Sequence, residues 1–198
     1  MYQNMINQLL HFDQEVFFFV NKALGNAFFD WLMPILRNKY TWIPLYIFII
    51  AFSVGKYKLK GFYLILFLSA TVGLADFTSA KLLKPTFERV RPCNDETIKD
   101  QVNARVGCGA GKSFPSTHAT DHFAIAMFLI GIFRRIWKHI IAIGILWAGL
   151  ISFAQVYVGV HYPIDVTVGA LYGSLIGFLL AKIYKRYFQL EPNVEQID

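Results

Sequence analysis

The chain alternates long apolar runs with short basic clusters, and this alternation limits what it can fold into more than any other feature. Apolar runs occupy roughly residues 40–54, 61–83, 118–133, 137–158 and 164–184. A helix needs ~20 residues to cross the hydrocarbon core at ~1.5 Å rise per residue. Each run therefore reads as a spanning helix, the first and third being short for the task. Between them sit Lys56, Lys58 and Lys60, then Arg134, Arg135 and Lys138, then Lys182, Lys185 and Arg186, with no acidic residue inside any cluster. Five crossings bring all three clusters to one face, which the positive-inside rule makes cytoplasmic.

Composition supports the same class. Of 198 residues, 56% are hydrophobic and 17% aromatic, including 19 Phe, more apolar surface than a soluble core of this size can hide. The net charge of +6 resides in the interhelical clusters rather than in a soluble basic module, so a nucleic-acid partner is not expected. The expected fold is an all-α, polytopic membrane helix bundle forming a single domain over residues 1–198. The opening MYQNMINQLL has neither a basic n-region nor an A-x-A-like site, so no cleavable signal peptide is expected.

Within residues 1–39, the stretch 12–36 mixes Val16, Phe19, Val20 and Ala23 with Asp13, Glu15, Asn21, Lys22 and Asp30. That mixture suits a helical segment lying in the membrane interface, anchored by Trp31. Residues 188–198 read as a polar, disordered tail. Residues 85–115 hold Pro85, Pro92, Pro115, Gly107, Gly109 and Gly111 and read as a loop. Its bases, Arg89, Lys99, Arg105 and Lys112, are balanced by Glu88, Asp95, Glu96 and Asp100. The loop shares the extracytoplasmic face with the turn 159–163.

Three stretches on that face hold nearly all the reactive side chains: KPTFERVRP from Lys84 to Pro92, PSTH from Pro115 to His118, and HYPID from His161 to Asp165. Phosphoryl transfer needs cations on the phosphoryl oxygens, a nucleophile, and an acid for the leaving oxygen. Lys84 and Arg91 supply charge, and an arginine can grip phosphate bidentately. Ser116, Thr117 and the backbone N–H groups opening the third spanning helix add donors where the helix dipole favours an anion. Asp165 follows His161 by one helical turn, so it can orient the ring and stabilise its positive form, which suits His161 as nucleophile. His118, beside Ser116, suits the general acid.

The pattern K-x6-R-P, P-S-x-H and H-x3-D resembles the type-2 phosphatidic acid phosphatase family, which shares its site with vanadium haloperoxidases. The resemblance implies metal-independent hydrolysis of a lipid phosphate or diphosphate through a phosphohistidine on His161, with no cofactor. It also implies phosphate binding by Lys84, Arg91 and Ser116, acid catalysis by His118, and orientation of His161 by Asp165. The expected substrate is undecaprenyl diphosphate. Lipid A phosphate, phosphatidylglycerophosphate and phosphatidic acid are alternatives, as is a non-catalytic protein that binds or transports a lipid phosphate. A bacterial inner membrane with an outward-facing site is the expected location.

One departure stands out. The family pattern S-R-x5-H-x3-D reads Ala154-Gln155 here, so a neutral amide replaces a cation. Another cation is expected to compensate: Lys112 first, with Lys81, Arg89 and Arg105 as further candidates. Other features carry less. HATDH, with His118 and His122, lacks the glutamate of a zinc motif, and GCGAGKS has Val106 where a P-loop needs glycine. Asp76 reads as a structural partner, and His11 and His139 as interfacial. Cys93 and Cys108, the only cysteines, lie in the one loop and are expected to pair.

Overall fold

A computed structural model describes residues 2–188 and 190. Among them all regular structure is helical: α1 (Tyr2–Phe18), α2 (Ala27–Arg37), α3 (Ile43–Phe77), α4 (Lys84–Phe87), α5 (Thr117–Phe133), α6 (Ile140–Tyr157) and α7 (Pro163–Tyr187). π-Helical turns follow α1 at Phe19–Ala23 and α3 at Thr78–Leu83. The tail expected over residues 188–198 lies, apart from Phe188 and Leu190, outside the described residues.

The helices sort by what they face. Lys39–Phe87, Ile140–Tyr157 and Pro163–Tyr187 are long and apolar enough to cross a membrane, and Thr117–Phe133 is a shorter apolar helix. Phe48, Phe52, Leu66, Leu146, Leu171 and Leu175 stand exposed along them, as a lipid-facing surface requires. The 40–54 and 61–83 runs are joined through α3, whose helical backbone breaks at Lys58 (φ 53°). There the chain turns back on itself, and Gly61 lies so close to the Ser53 carbonyl that no Cβ could be added. This is an integral membrane helix bundle.

A glycine seam positions the site. Gly169, Gly173 and Gly177 recur every fourth residue of α7 and lie against the α5 backbone at Ser116, Thr120 and Ala124. Small residues at this spacing let two backbones approach closely, which is how membrane helices gain packing without a hydrophobic drive between them. A Cβ on Gly169 would stand 2.7 Å from the Ser116 carbonyl. The two helix N-termini are thereby joined, and Ser116 N donates to Asp165 O at 3.0 Å.

Part of the polarity of the N-terminal segment is buried: Asp13 and Asn21 are 1% and 0% exposed. Asn21 grips the long loop and α6 together: its Nδ2 donates to Asn103 O (3.0 Å) and Tyr157 O (2.8 Å), while its Oδ1 accepts from Asn103 N (2.9 Å). Phe17 is buried with Ile98, Val156 and Tyr162, and Met33 with Tyr157, Val158 and Val160. Each such side chain stabilises the fold by ~1.5–3 kcal/mol. Asn21, like Asp13, satisfies buried backbone groups.

Candidate active site

α7 opens where the chain leaves α6 through a tight turn. Gly159 takes φ +89°, in the left-handed region that glycine tolerates at little cost. The turn is buried, with His161 2% and Tyr162 5% exposed. Pro163 begins the helix, and Tyr162 N donates to Asp165 Oδ2 at 2.8 Å, so the carboxylate caps the helix it belongs to.

Asp165 is held on every side. Arg89 Nη1 donates to its Oδ1 at 2.7 Å, and Ser113 Oγ donates to its Oδ2. His161 Nδ1 lies 3.3 Å from Ser113 Oγ and 3.5 Å from Asp165 Oδ2. The nearer hydroxyl already gives its proton to the carboxylate, so it can accept from Nδ1–H. That places the ring proton on Nδ1 and leaves the Nε2 lone pair free, as a nucleophilic imidazole requires. Burial, with help from Lys84 and Arg91, presses the His161 pKa down to about 4 against the opposing pull of Asp165. The ring is neutral at pH 7.

Arg89 does not face a phosphate. Its second arm, Nη2, donates to Asp13 Oδ2 at 2.6 Å, and its guanidinium stacks 4.0 Å above the Tyr162 ring. Asp13 Oδ1 in turn accepts from Ile164 N at 2.8 Å. Sequence reasoning gave Asp13 and Ser113 no part in the site and grouped Arg89 with the candidate compensating cations. Arg105 is likewise engaged, donating from Nη1 to Asn21 O (2.8 Å) and Tyr157 O (2.9 Å) and from Nε to Asp30.

The cations facing the histidines are anchored by loop carbonyls. Lys84 Nζ donates to Lys112 O at 2.7 Å, and Arg91 Nε donates to Gly111 O at 2.8 Å. GCGAGKS is thus a backbone wrap around these two side chains, which Lys112 joins through its carbonyl. Cys93 and Cys108 form a disulfide across the same loop, and closing 15 residues stabilises it by ~3 kcal/mol. Ser116 and Gln155 are each 0% exposed. Ser116 Oγ and Gln155 Nε2 have no hydrogen-bond partner among the described residues. Thr117 Oγ1 accepts from Ser79 Oγ at 3.3 Å. Arg37, at the end of α2, donates from Nε to Gln155 Oε1 at 3.4 Å, a residue nothing in the three motifs indicated. Arg37 and Arg91 lie near enough for their charges to act on each other and on His118. The sequence-derived site residues lie at one end of α5–α7, in the loop above it or, for Lys84, at the start of α4. Such an arrangement can hold a tetrahedral dianion beside a neutral imidazole.

The chain resembles known proteins along most of its length. Residues 62–189 match the family model described as PAP2 superfamily. The chain is 34% identical over 180 residues to the lipid A 4'-phosphatase of Bacteroides thetaiotaomicron, covering 88% of this chain and 78% of that protein. Likeness to the undecaprenyl-diphosphatase of Sulfolobus acidocaldarius is 44% over 71 residues, 36% of this chain and 33% of that one. The fold superposes on the PAP2-type phosphatidylglycerolphosphate phosphatase of Bacillus subtilis with a TM-score of 0.71 at 21% identity, covering 93% and 90% of the two chains. For Aquifex aeolicus LpxE the TM-score is 0.62 at 31% identity, covering 88% and 94%. The chain belongs to the PAP2 superfamily and is a membrane lipid phosphatase of that type.

Proposed function

We propose that this enzyme hydrolyses a phosphate monoester of lipid A, releasing phosphate. The observation that carries the proposal is likeness to a lipid A 4'-phosphatase along 88% of the chain, where likeness to an undecaprenyl-diphosphatase stops at 36%. Undecaprenyl diphosphate, the substrate expected from the motifs alone, accordingly becomes the competing outcome of the test.

His161 Nε2 attacks phosphorus, the P–O bond to the lipid breaks, and His118, protonated as the phosphate dianion binds beside it, gives that proton to the departing oxygen. Water then attacks the phosphohistidine, His118 takes one proton from it, and the P–N bond breaks to release phosphate. Ser113 and Asp165 keep the proton on Nδ1 and stabilise the ring as it gains charge. Lys84, Arg91 and Ser116 neutralise the phosphoryl oxygens. On this mechanism turnover persists in EDTA.

The site opens on the extracytoplasmic face of the inner membrane, with Trp31 as an anchor at the interface. Two features support this orientation: the disulfide Cys93–Cys108, which persists in oxidising compartments, and the basic clusters assigned to the opposite face. The test is phosphate release by the purified full chain from lipid A, undecaprenyl diphosphate, phosphatidylglycerophosphate and phosphatidic acid. Preference for lipid A is expected. A higher kcat/KM on undecaprenyl diphosphate overturns the substrate, and no release from any of the four overturns catalysis.

A further inference from the structure

The cation missing from position 155 bears on a group outside the three motifs. Gln155 is wholly buried on α6, six residues before His161. Its main chain helps build the nucleophile's turn, since Val160 N donates to Gln155 O at 3.2 Å. Its side chain is asymmetric: Oε1 accepts from Arg37 Nε, while Nε2 has no partner among the described residues. A buried amide that leaves its donors unspent is costly, so such groups are retained where something else engages them.

Arg37 and Arg91 are presented alike. Each is held through Nε by an oxygen, from Gln155 Oε1 in one case and Gly111 O in the other. Among the described residues neither has a hydrogen-bond partner for its two Nη groups. That end of the fork is what binds two phosphate oxygens in parallel. Two like charges act on each other here, and neither has a carboxylate within ion-pair distance among the described residues. An anion between them would relieve this. Two of the other candidate cations are occupied: Arg89 by Asp13 and Asp165, and Arg105 by Asp30 and backbone oxygens. Lys112 meets the site through its carbonyl.

We infer that Arg37 is a third phosphate-binding cation of this site, positioned by Gln155, with Arg37 Nη and Gln155 Nε2 both contacting the phosphoryl group. A residue from the N-terminal helices thus does what an arginine on α6 would otherwise do. The assignment rests on the proposed phosphatase chemistry, but binding of inorganic phosphate tests it without turnover.

The experiment measures phosphate affinity, kcat, KM and thermal unfolding for the detergent-purified full chain, for Arg37→Gln, Arg37→Lys, Lys112→Ala, and Arg37→Gln combined with Gln155→Arg. Arg37→Gln should weaken phosphate binding at least tenfold and lower kcat/KM roughly 100-fold, the scale on which one lost donor to a transition-state oxyanion acts. Arg37→Lys should recover part of both losses, and so should Gln155→Arg. Unchanged phosphate affinity in Arg37→Gln overturns the assignment, and a loss of activity accompanied only by lowered unfolding temperature assigns Arg37 to structure instead. Losses that follow Lys112→Ala and spare Arg37→Gln also overturn it. A wild-type chain that binds phosphate through Arg37 yet hydrolyses no lipid leaves this inference standing and removes the phosphatase reading.

Discussion

Arg89 bridges Asp13 and Asp165, donating 2.6 Å to one carboxylate and 2.7 Å to the other. Both acids have fully buried side chains, and the arginine is 20% exposed. The bridge ties the first helix to the carboxylate that lies 3.5 Å from His161 Nδ1. Burial raises the Asp13 pKa despite the hydrogen bond from Arg89, while the two carboxylates raise that of Arg89.

Removing one partner of such a buried network leaves charges uncompensated, which costs ~3–5 kcal/mol. Arg89→Ala is therefore expected to lower the unfolding midpoint and abolish turnover together. Asp13→Asn keeps an acceptor for Ile164 N and should cost less than Arg89→Ala. Thermal unfolding in detergent checks the order, and an Arg89→Ala protein as stable as wild type would contradict it.

The two histidines should fail in different ways. On the proposed mechanism His161→Ala forms no phosphoenzyme and has no turnover. His118→Ala should slow both steps by ~10²–10⁴-fold, the usual weight of a general acid or base, while phosphate affinity changes little. Quenching in alkali, where phosphohistidine survives, and following labelled phosphate on the protein distinguishes them. Label retained by His161→Ala would move the nucleophile elsewhere.

On the proposed mechanism the His161 pKa, lowered from 6.5 to about 4 by burial, sets an acid limit. The sign is plain: lowering keeps the ring neutral, and therefore nucleophilic, through the range where an exposed histidine becomes protonated. Corrected for substrate ionisation, kcat/KM should hold through pH 6.5 and fall near about pH 4–5. The same shift means that the unfolded chain binds this proton first, so the fold loses stability as pH drops below 6.5. A limb at 6.5 that Asp165→Asn leaves in place would detach it from His161.

Orientation can be read with one thiol. Asp100 is exposed on the loop and the native cysteines are paired, so Asp100→Cys carries the only free sulfhydryl. In intact cells it should react with a membrane-impermeant maleimide. Labelling only after lysis would put the loop in the cytoplasm.

Much of this protein is determined locally. Apolar runs of spanning length and basic loops specify a membrane bundle, because no other solvent accepts such a surface. Lys84, Arg91, Ser116, His118, His161 and Asp165 fall in short motifs because each set shares one helix end, where spacing alone keeps neighbours together. Tertiary structure decided the rest. Asp13, Asn21 and Arg37 lie more than 75 residues from the groups they touch, at Arg89, Asn103 and Gln155. No motif marks any of the three; only packing sets them against distant polar groups, where a buried polar atom must find a partner. Ser113 could be placed between His161 and Asp165 only once the loop had folded over α7. The glycines of α7 are visible in the sequence, but their purpose is not. They matter because α5 lies against them, and that contact joins the Ser116 and Asp165 ends into one site.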